Sequence, residues 1–246
     1  SMLEESIVPS PHSIDLVRTP TSDYLYRQAR TSPHVAELYH ENSKLTPYST
    51  LLPKAGPETI AKIRAWFFDT AYDVAEGDVR VETPALRVAP GALPDPLPEV
   101  LDPFTHEGPL ADLLYGTDLL VLSGEFLLKV APTKPFLYTE RRVKPAARAA
   151  VEMALGGGLG AGEREVALFI LACPWRYMFL AGPRGYRHTL LDVGRVLHHF
   201  ETLPALQACR VRVVQDFHDT AVDRFCHADG LERSVYAVLQ IDTAPA

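Results

Sequence analysis

The sequence predicts an α+β fold, and three observations carry that reading. Helix-like and strand-like segments alternate beyond residue 108. The segment Pro183 to Phe200 has strong helical periodicity, with apolar residues at Leu190, Leu191, Val193, Val196, Leu197 and Phe200. No G-x-G-x-x-G follows a strand, so the dinucleotide fingerprint of a Rossmann sheet is missing.

Residues 1–50 are polar and turn-rich, with a short candidate helix ending at Tyr39 and His40, and they read as an arm. From Pro57 a helix is expected, because proline suits a helix entry and Ile60, Ile63, Trp66, Phe67 and Ala71 recur at helical spacing. That face would bury Trp66 and Phe67. Residues 84–109 hold seven prolines and almost no periodicity, which predicts an extended, semi-rigid connector. The chain thus divides into an arm and helical segment over 1–83, a connector over 84–108 and a main domain over 109–246.

Within that domain, Pro109 to Tyr115 reads as one or two helical turns, and Asp118 to Val130 as strands around Ser123-Gly124. Ala146 to Leu155 is an alanine-rich helix, stopped by Gly156-Gly157-Gly158. Val166 to Ala172 is a buried strand. After the Pro183 to Phe200 segment come a strand at Arg210 to Val213 with one wet face, a short helix capped by Asp219, and a final strand over Ser234 to Ile241.

Composition narrows the function. With 47% apolar and 22% charged residues the chain has the make-up of a folded protein and needs no staple. A formal charge of −7 argues against a general nucleic-acid binder, which needs clustered Lys and Arg. The longest apolar runs fall far short of the roughly 20 residues that span a bilayer, so no membrane segment is expected. The N-terminal SMLEESIVPS lacks a basic start and an apolar core, so no signal peptide is expected and a cytoplasmic setting is the default. Cys173, Cys209 and Cys226 form no CxxC, and Cys173 and Cys209 read as small core residues. His198, His199, His218 and His227 match no zinc spacing, so no metal is expected. No P-loop, HExxH or G-x-S-x-G elbow occurs.

The richest chemistry lies at the entry of the periodic helix. Arg184, Tyr186 and Arg187 cluster around Gly185, and a bend there would hold an anion or a flat ring. This stretch resembles the C-terminal half of the nitroreductase superfamily, most closely the SagB-type dehydrogenases that oxidise azolines in ribosomal peptides. In that family the turn reads approximately Glu-Arg-x-x-x-Lys-Tyr-Gly-x-Arg-Gly-Tyr-Arg, ahead of a leucine-rich helix with Asp-x-Gly. Here WRYMFLAGPRGYR precedes HTLLDVG, so Arg176, Gly182, Arg184, Gly185, Tyr186, Arg187, Asp192 and Gly194 match. The positions of the catalytic Lys-Tyr pair hold Leu180 and Ala181. YHENSKLTPYS resembles an N-terminal motif of the same family, which makes Tyr39, His40, Ser43 and Lys44 candidates for a peptide-gripping arm.

The resemblance implies a nitroreductase-like fold, an antiparallel-rich sheet flanked by helices, and a dimer holding FMN between subunits. The flavin would carry the electron chemistry while the protein supplies placement and electrostatics. Three expected contributions are missing. No Arg-Arg-Ser phosphate motif opens the domain; Arg141 and Arg142 lie too far along it and read as a solvated charge run. The Lys-Tyr pair is replaced, and neighbouring Tyr177 reads better as a packed, hydrogen-bonded residue than as a substitute. Where glycines would meet a flavin phosphate stands Gln215-Asp216-Phe217, whose carboxylate repels a phosphate.

Two readings follow. In the first, the chain is a degenerate SagB-type protein, a non-catalytic or partner-dependent subunit in peptide modification. It would bind a peptide substrate or leader segment, as a homodimer or as a heterodimer with an intact homologue. In the alternative it is an FMN-dependent dehydrogenase of azoline heterocycles. Under either reading, Arg184, Tyr186 and Arg187 are the best contacts for cofactor or substrate.

Overall fold

The structure is a computed structural model that describes residues 39, 43, 56–73, 87–160, 162 and 164–243. The chain separates into two compact units, Ser1–Leu52 and Pro53–Ala246. In the first, Tyr39 is helical and accepts a hydrogen bond from the Ser43 backbone N–H at 3.0 Å; His40 and Lys44 lie outside the described residues.

The second unit is built on a seven-stranded antiparallel sheet in the order β1-β4-β3-β2-β5-β7-β6. Its strands are β1 (Arg87–Val88), β2 (Thr117–Ser123), β3 (Phe126–Val130), β4 (Leu137–Arg142), β5 (Glu165–Ala172), β6 (Arg210–Val214) and β7 (Ser234–Asp242). The central strands β2, β5 and β7 are apolar on both faces because both faces are covered. Val166, Leu168 and Ile170 of β5 point to one layer of helices, and Ala167, Phe169 and Leu171 to the other.

The first layer comprises α2 (Leu97–Thr105), α3 (Pro109–Leu113), α6 (Arg184–Thr202) and α7 (Pro204–Gln207). The second comprises α4 (Pro145–Ala154) and α8 (Asp219–Phe225). A third cluster forms where α1 (Pro57–Asp73) sets Phe68 against Tyr115, Ala131 and Tyr138, with Tyr177 and Leu180 of α5 (Pro174–Ala181) at its margin.

Most expected elements form, with the α+β class and an antiparallel sheet. The connector does not. Residues 97–105 are helical, and Leu97, Val100, Leu101 and Phe104 are fully buried in the first core layer. Their spacing is helical, but the prolines masked it: Pro98 sits in the first turn, where no N–H is needed, and Pro103 lies inside the helix two residues before its end. Proline also opens α1, α3, α4, α5 and α7, so in this chain it marks helix starts more than linkers.

Other corrections are local. Trp66 is 64% exposed, since Phe68 takes the inward position on α1. On α6 Leu190 and Leu191 are exposed, while Gly185, Thr189 and Asp192 share the buried face with Val193, Val196 and Phe200. Asp219 is the first residue of α8, and His218 is the cap residue, with its backbone N–H on the Ala154 carbonyl at 3.0 Å. Cys173 and Cys226 are buried, whereas Cys209 is half-buried. Gly156, Gly157 and Gly158 end α4 as read, all three at positive φ (73°, 86° and 86°).

Candidate functional site

The α5–α6 hairpin holds the family-like motif, and its geometry separates residues that build the fold from residues that face outward. The expected bend at Arg184 to Arg187 is instead the first turn of α6; the turn between helices is at Gly182 and Pro183. Gly185 is there for contact. A Cβ on it would lie 2.3–2.5 Å from backbone atoms of Tyr177 and Met178, so α5 and α6 touch backbone to backbone.

Arg176 turns inward. Its Nη1 donates to Asp118 Oδ1 at 2.9 Å and to the Tyr115 carbonyl at 3.2 Å, and its guanidinium lies 4.8 Å from the Phe67 ring centre. The other Asp118 oxygen meets Arg233 Nε at 2.8 Å and Lys129 Nζ at 3.2 Å. Burial alone would raise the Asp118 pKa, but Arg176, Lys129 and Arg233 outweigh it and hold the carboxyl well below the usual carboxylate range. One carboxylate therefore ties together β2, β3, α5 and the loop entering β7. Nearby Cys173 has its thiol pushed up to about 12 by burial and by Asp118, which makes it a poor nucleophile.

Tyr177 also has a structural post. Its hydroxyl donates to Asp192 Oδ2 at 2.7 Å, and its ring lies where a Cβ on Gly116 would be, 2.4 Å away. Burial, then the Asp192 charge, raises the phenol pKa, so it is a weak acid here and not a base at neutral pH. Burial also raises Asp192, against the opposing pull of the Tyr177 hydrogen bond and of Arg195 at 3.6 Å. Thr189 Oγ1 closes the knot by donating to the Gly185 carbonyl at 3.2 Å.

Arg184, Tyr186 and Arg187 are all half-buried. The Tyr186 and Tyr236 hydroxyls lie 2.6 Å apart, and burial followed by that hydrogen bond raises the Tyr236 pKa. The pair joins the start of α6 to β7. Leu180 packs at the margin of the α1 cluster, and Ala181 is exposed at the end of α5. Gln215 and Asp216 are exposed after β6, and Phe217 packs on the second core layer. Arg142 is exposed and pairs with Glu125 at 2.8 Å, whereas Arg141 lies 4.6 Å from the Phe225 ring centre. Among the described residues no group of three or more His, Cys, Asp or Glu is placed to hold a metal, and no helix is long and apolar enough to cross a membrane.

Sequence reasoning missed the Asp118 cluster. The available signal was a carboxylate at the head of an otherwise apolar strand, TDLLVLS, where an unpaired charge would be untenable. Its partners come from positions 129, 176 and 233.

No family profile and no curated protein matches the chain. Among solved structures, a putative nitroreductase from Anabaena variabilis superposes with a TM-score of 0.60 at 17% identity, over 87% of this chain and 49% of that one. The fold is that of the nitroreductases. This nitroreductase-fold chain spans about half the length of that structure. An E. coli microcin synthetase complex with truncated pro-microcin bound (TM-score 0.48, 13% identity, 88% of this chain and 100% of that one) also matches. So does a putative nitroreductase from Ralstonia eutropha (TM-score 0.47, 13% identity, 66% and 78%). The fold assignment rests on the first.

Proposed function

We propose that this chain is a nitroreductase-fold subunit of a peptide-modifying system that performs no flavin chemistry alone and works with an intact homologue. One observation carries the reading: Arg176, Gly185 and Asp192, motif residues that survive on α5 and α6, are engaged in holding the fold together, while the two positions tied to catalysis have lost their chemistry. Arg176 is committed to Asp118, Gly185 to the helix contact and Asp192 to Tyr177. Leu180 and Ala181 carry no titratable group.

FMN can be tested against the same residues. Its phosphate calls for cations or bare backbone N–H groups, and its chemistry for a proton carrier. The turn after β6 offers the exposed carboxylate of Asp216, and no Arg-Arg-Ser opens the domain. The chain's own residues do not fit the group. Arg184, Tyr186 and Arg187 supply cations and an aromatic ring suited to an anionic or planar molecule shared with a partner. In the same reading Tyr39, His40, Ser43 and Lys44 help to hold a leader segment of the peptide.

The test is a visible spectrum of the purified protein, followed by titration with FMN. A colourless protein that binds no added FMN, and that co-elutes with an intact homologue encoded nearby, supports the proposal. Flavin absorbance that survives gel filtration and disappears on Arg184→Ala or Arg187→Ala would overturn it in favour of an FMN-dependent dehydrogenase of azolines.

A further inference from the structure

β6 is the last strand of the sheet, and the direction of its free hydrogen-bonding groups follows from the ladder beside it. Antiparallel residues exchange bonds in alternate pairs. The Thr243 N–H donates to the Arg164 carbonyl at 3.0 Å, one step beyond the Glu165–Asp242 pair, so Thr243, Ile241 and Leu239 bond toward β5. Asp242, Gln240 and Val238 therefore bond toward β6, where they oppose Arg210, Arg212 and Val214. Val211 and Val213 are left with N–H and C=O aimed away from the sheet. Among the described residues, no group outside the ladder bonds either of them.

Sheet edges are normally guarded by charge, proline or a bulge. β6 contains no proline and pairs with β7 through all five of its residues without a register shift, and Arg210 is turned in onto Asp242 at 2.5 Å. The opposite edge, β1, is only two residues long. Arg212, between the two valines, is exposed, and its Nη1 donates to the Gly157 carbonyl at 2.9 Å and to Gln240 Oε1 at 3.3 Å. Both of those partners are uncharged, so they leave its charge uncompensated. A single cation does not close the edge; it selects what can join it.

We propose that β6 takes an extended segment of the peptide being modified as an added antiparallel strand, with β-branched apolar residues opposite Val211 and Val213 and a carboxylate between them opposite Arg212. The proposal rests on the peptide-modifying reading above and deepens it by naming where the peptide lies. With Val211 and Val213 bonded to the added strand, Arg212 and its opposite residue form a non-hydrogen-bonded pair. Such pairs stand about 4.5 Å apart at Cα, and their side chains meet most closely. Backbone bonds thus supply affinity, and the charge pair supplies preference. A second copy fits less well. The two-fold pairing that joins Val211 of each copy to Val213 of the other uses every outward group, but it sets Arg212 directly opposite itself.

The probe is a fluorescein-labelled synthetic peptide, Gly-Ser-Thr-Val-Glu-Val-Thr-Ser, added to the full chain and followed by fluorescence polarisation. It should bind saturably. N-methylation of its two valines should abolish binding, whereas N-methylation of its glutamate, whose N–H points away from β6, should not. Replacing that glutamate by lysine, or making Arg212→Glu in the protein, should each weaken binding about fivefold, and the two changes together should restore it. Val211→Pro removes an outward N–H and leaves the β7 ladder whole, so it should keep its circular dichroism spectrum and lose the peptide. No saturable binding, binding that tolerates the valine methyl groups, a charge swap that fails to restore affinity, or an unfolded Val211→Pro overturns the proposal. So does a dimer of the protein alone, seen by sedimentation equilibrium, that Val211→Pro dissolves. A visible spectrum of the same samples keeps the two claims apart, since retained flavin refutes the non-catalytic reading and leaves the strand-addition result standing.

Discussion

At the scale of single residues, the best-determined position is Asp118, whose two oxygens are shared among Arg176, Lys129 and Arg233. A buried carboxylate is costly to desolvate, and removing one partner from such a group leaves charge uncompensated, typically at about 3–5 kcal/mol. Asp118→Asn should therefore lower stability by an amount of that order in urea unfolding, with the midpoint moved and the slope unchanged. The pH dependence has a definite sign. The folded pKa lies below the unfolded value of about 3.9, so the contribution is complete above that pH and is lost as pH falls toward the folded value. Wild type should lose stability more steeply than Asp118→Asn between about pH 5 and pH 2. Parallel acid curves for the two proteins would show that Asp118 is not ionised in the fold. The lone charge at the head of an apolar strand was visible in the sequence; its partners were not, because the fold brings them together from the neighbouring strand β3, from α5 and from the loop before β7.

At the scale of elements, α6 contains two glycines that the sequence does not distinguish and the structure does. Gly185 faces α5, where an added methyl would overlap the Tyr177 and Met178 backbone, and backbone cannot swing aside as a side chain can. Gly194 faces open space. Gly185→Ala should destabilise by roughly 1–3 kcal/mol or separate the helices. Gly194→Ala should stabilise the isolated chain by up to about 1 kcal/mol through helix propensity alone. Thermal melts of the two variants should move in opposite directions; a shift of the same sign in both would contradict the α5–α6 packing. Periodicity alone marked the core stripe of α6 too broadly. It counted Leu190 and Leu191 as inward because they are apolar, while the true inward row runs through Gly185, Thr189 and Asp192, whose places are set by contacts with α5. Likewise, an arginine, a glycine and an aspartate that match a flavoenzyme motif proved to be a salt-bridge partner, a helix contact and a hydrogen-bond acceptor.

At the scale of the whole molecule, legibility depended on whether a segment's partner was near in sequence. β2, β3, α4, β5 and β7 were readable because each declares its own period or terminator. α2 was not, because its apolar row shares nine residues with two prolines, and the sheet that accepts the row lies further along the chain. Where the fold begins is therefore a question of which core each side chain joins. Leu97, Val100, Leu101 and Phe104 share a cluster with Leu119, Val121, Leu168 and Val196. Burying each such side chain is worth about 1.5–3 kcal/mol. Four together rival the roughly 5–15 kcal/mol net stability of a whole domain. A fragment starting at Pro109, the edge suggested by the proline count, should lose that contribution and expose the apolar face of the sheet that α2 covers. A fragment starting at Pro53 keeps both. Circular dichroism melts should show a cooperative transition for residues 53–246, and none, or aggregation, for residues 109–246. Cooperative unfolding of the shorter fragment at a similar temperature would mean that α2 is an accessory to the nitroreductase fold here and not part of its core.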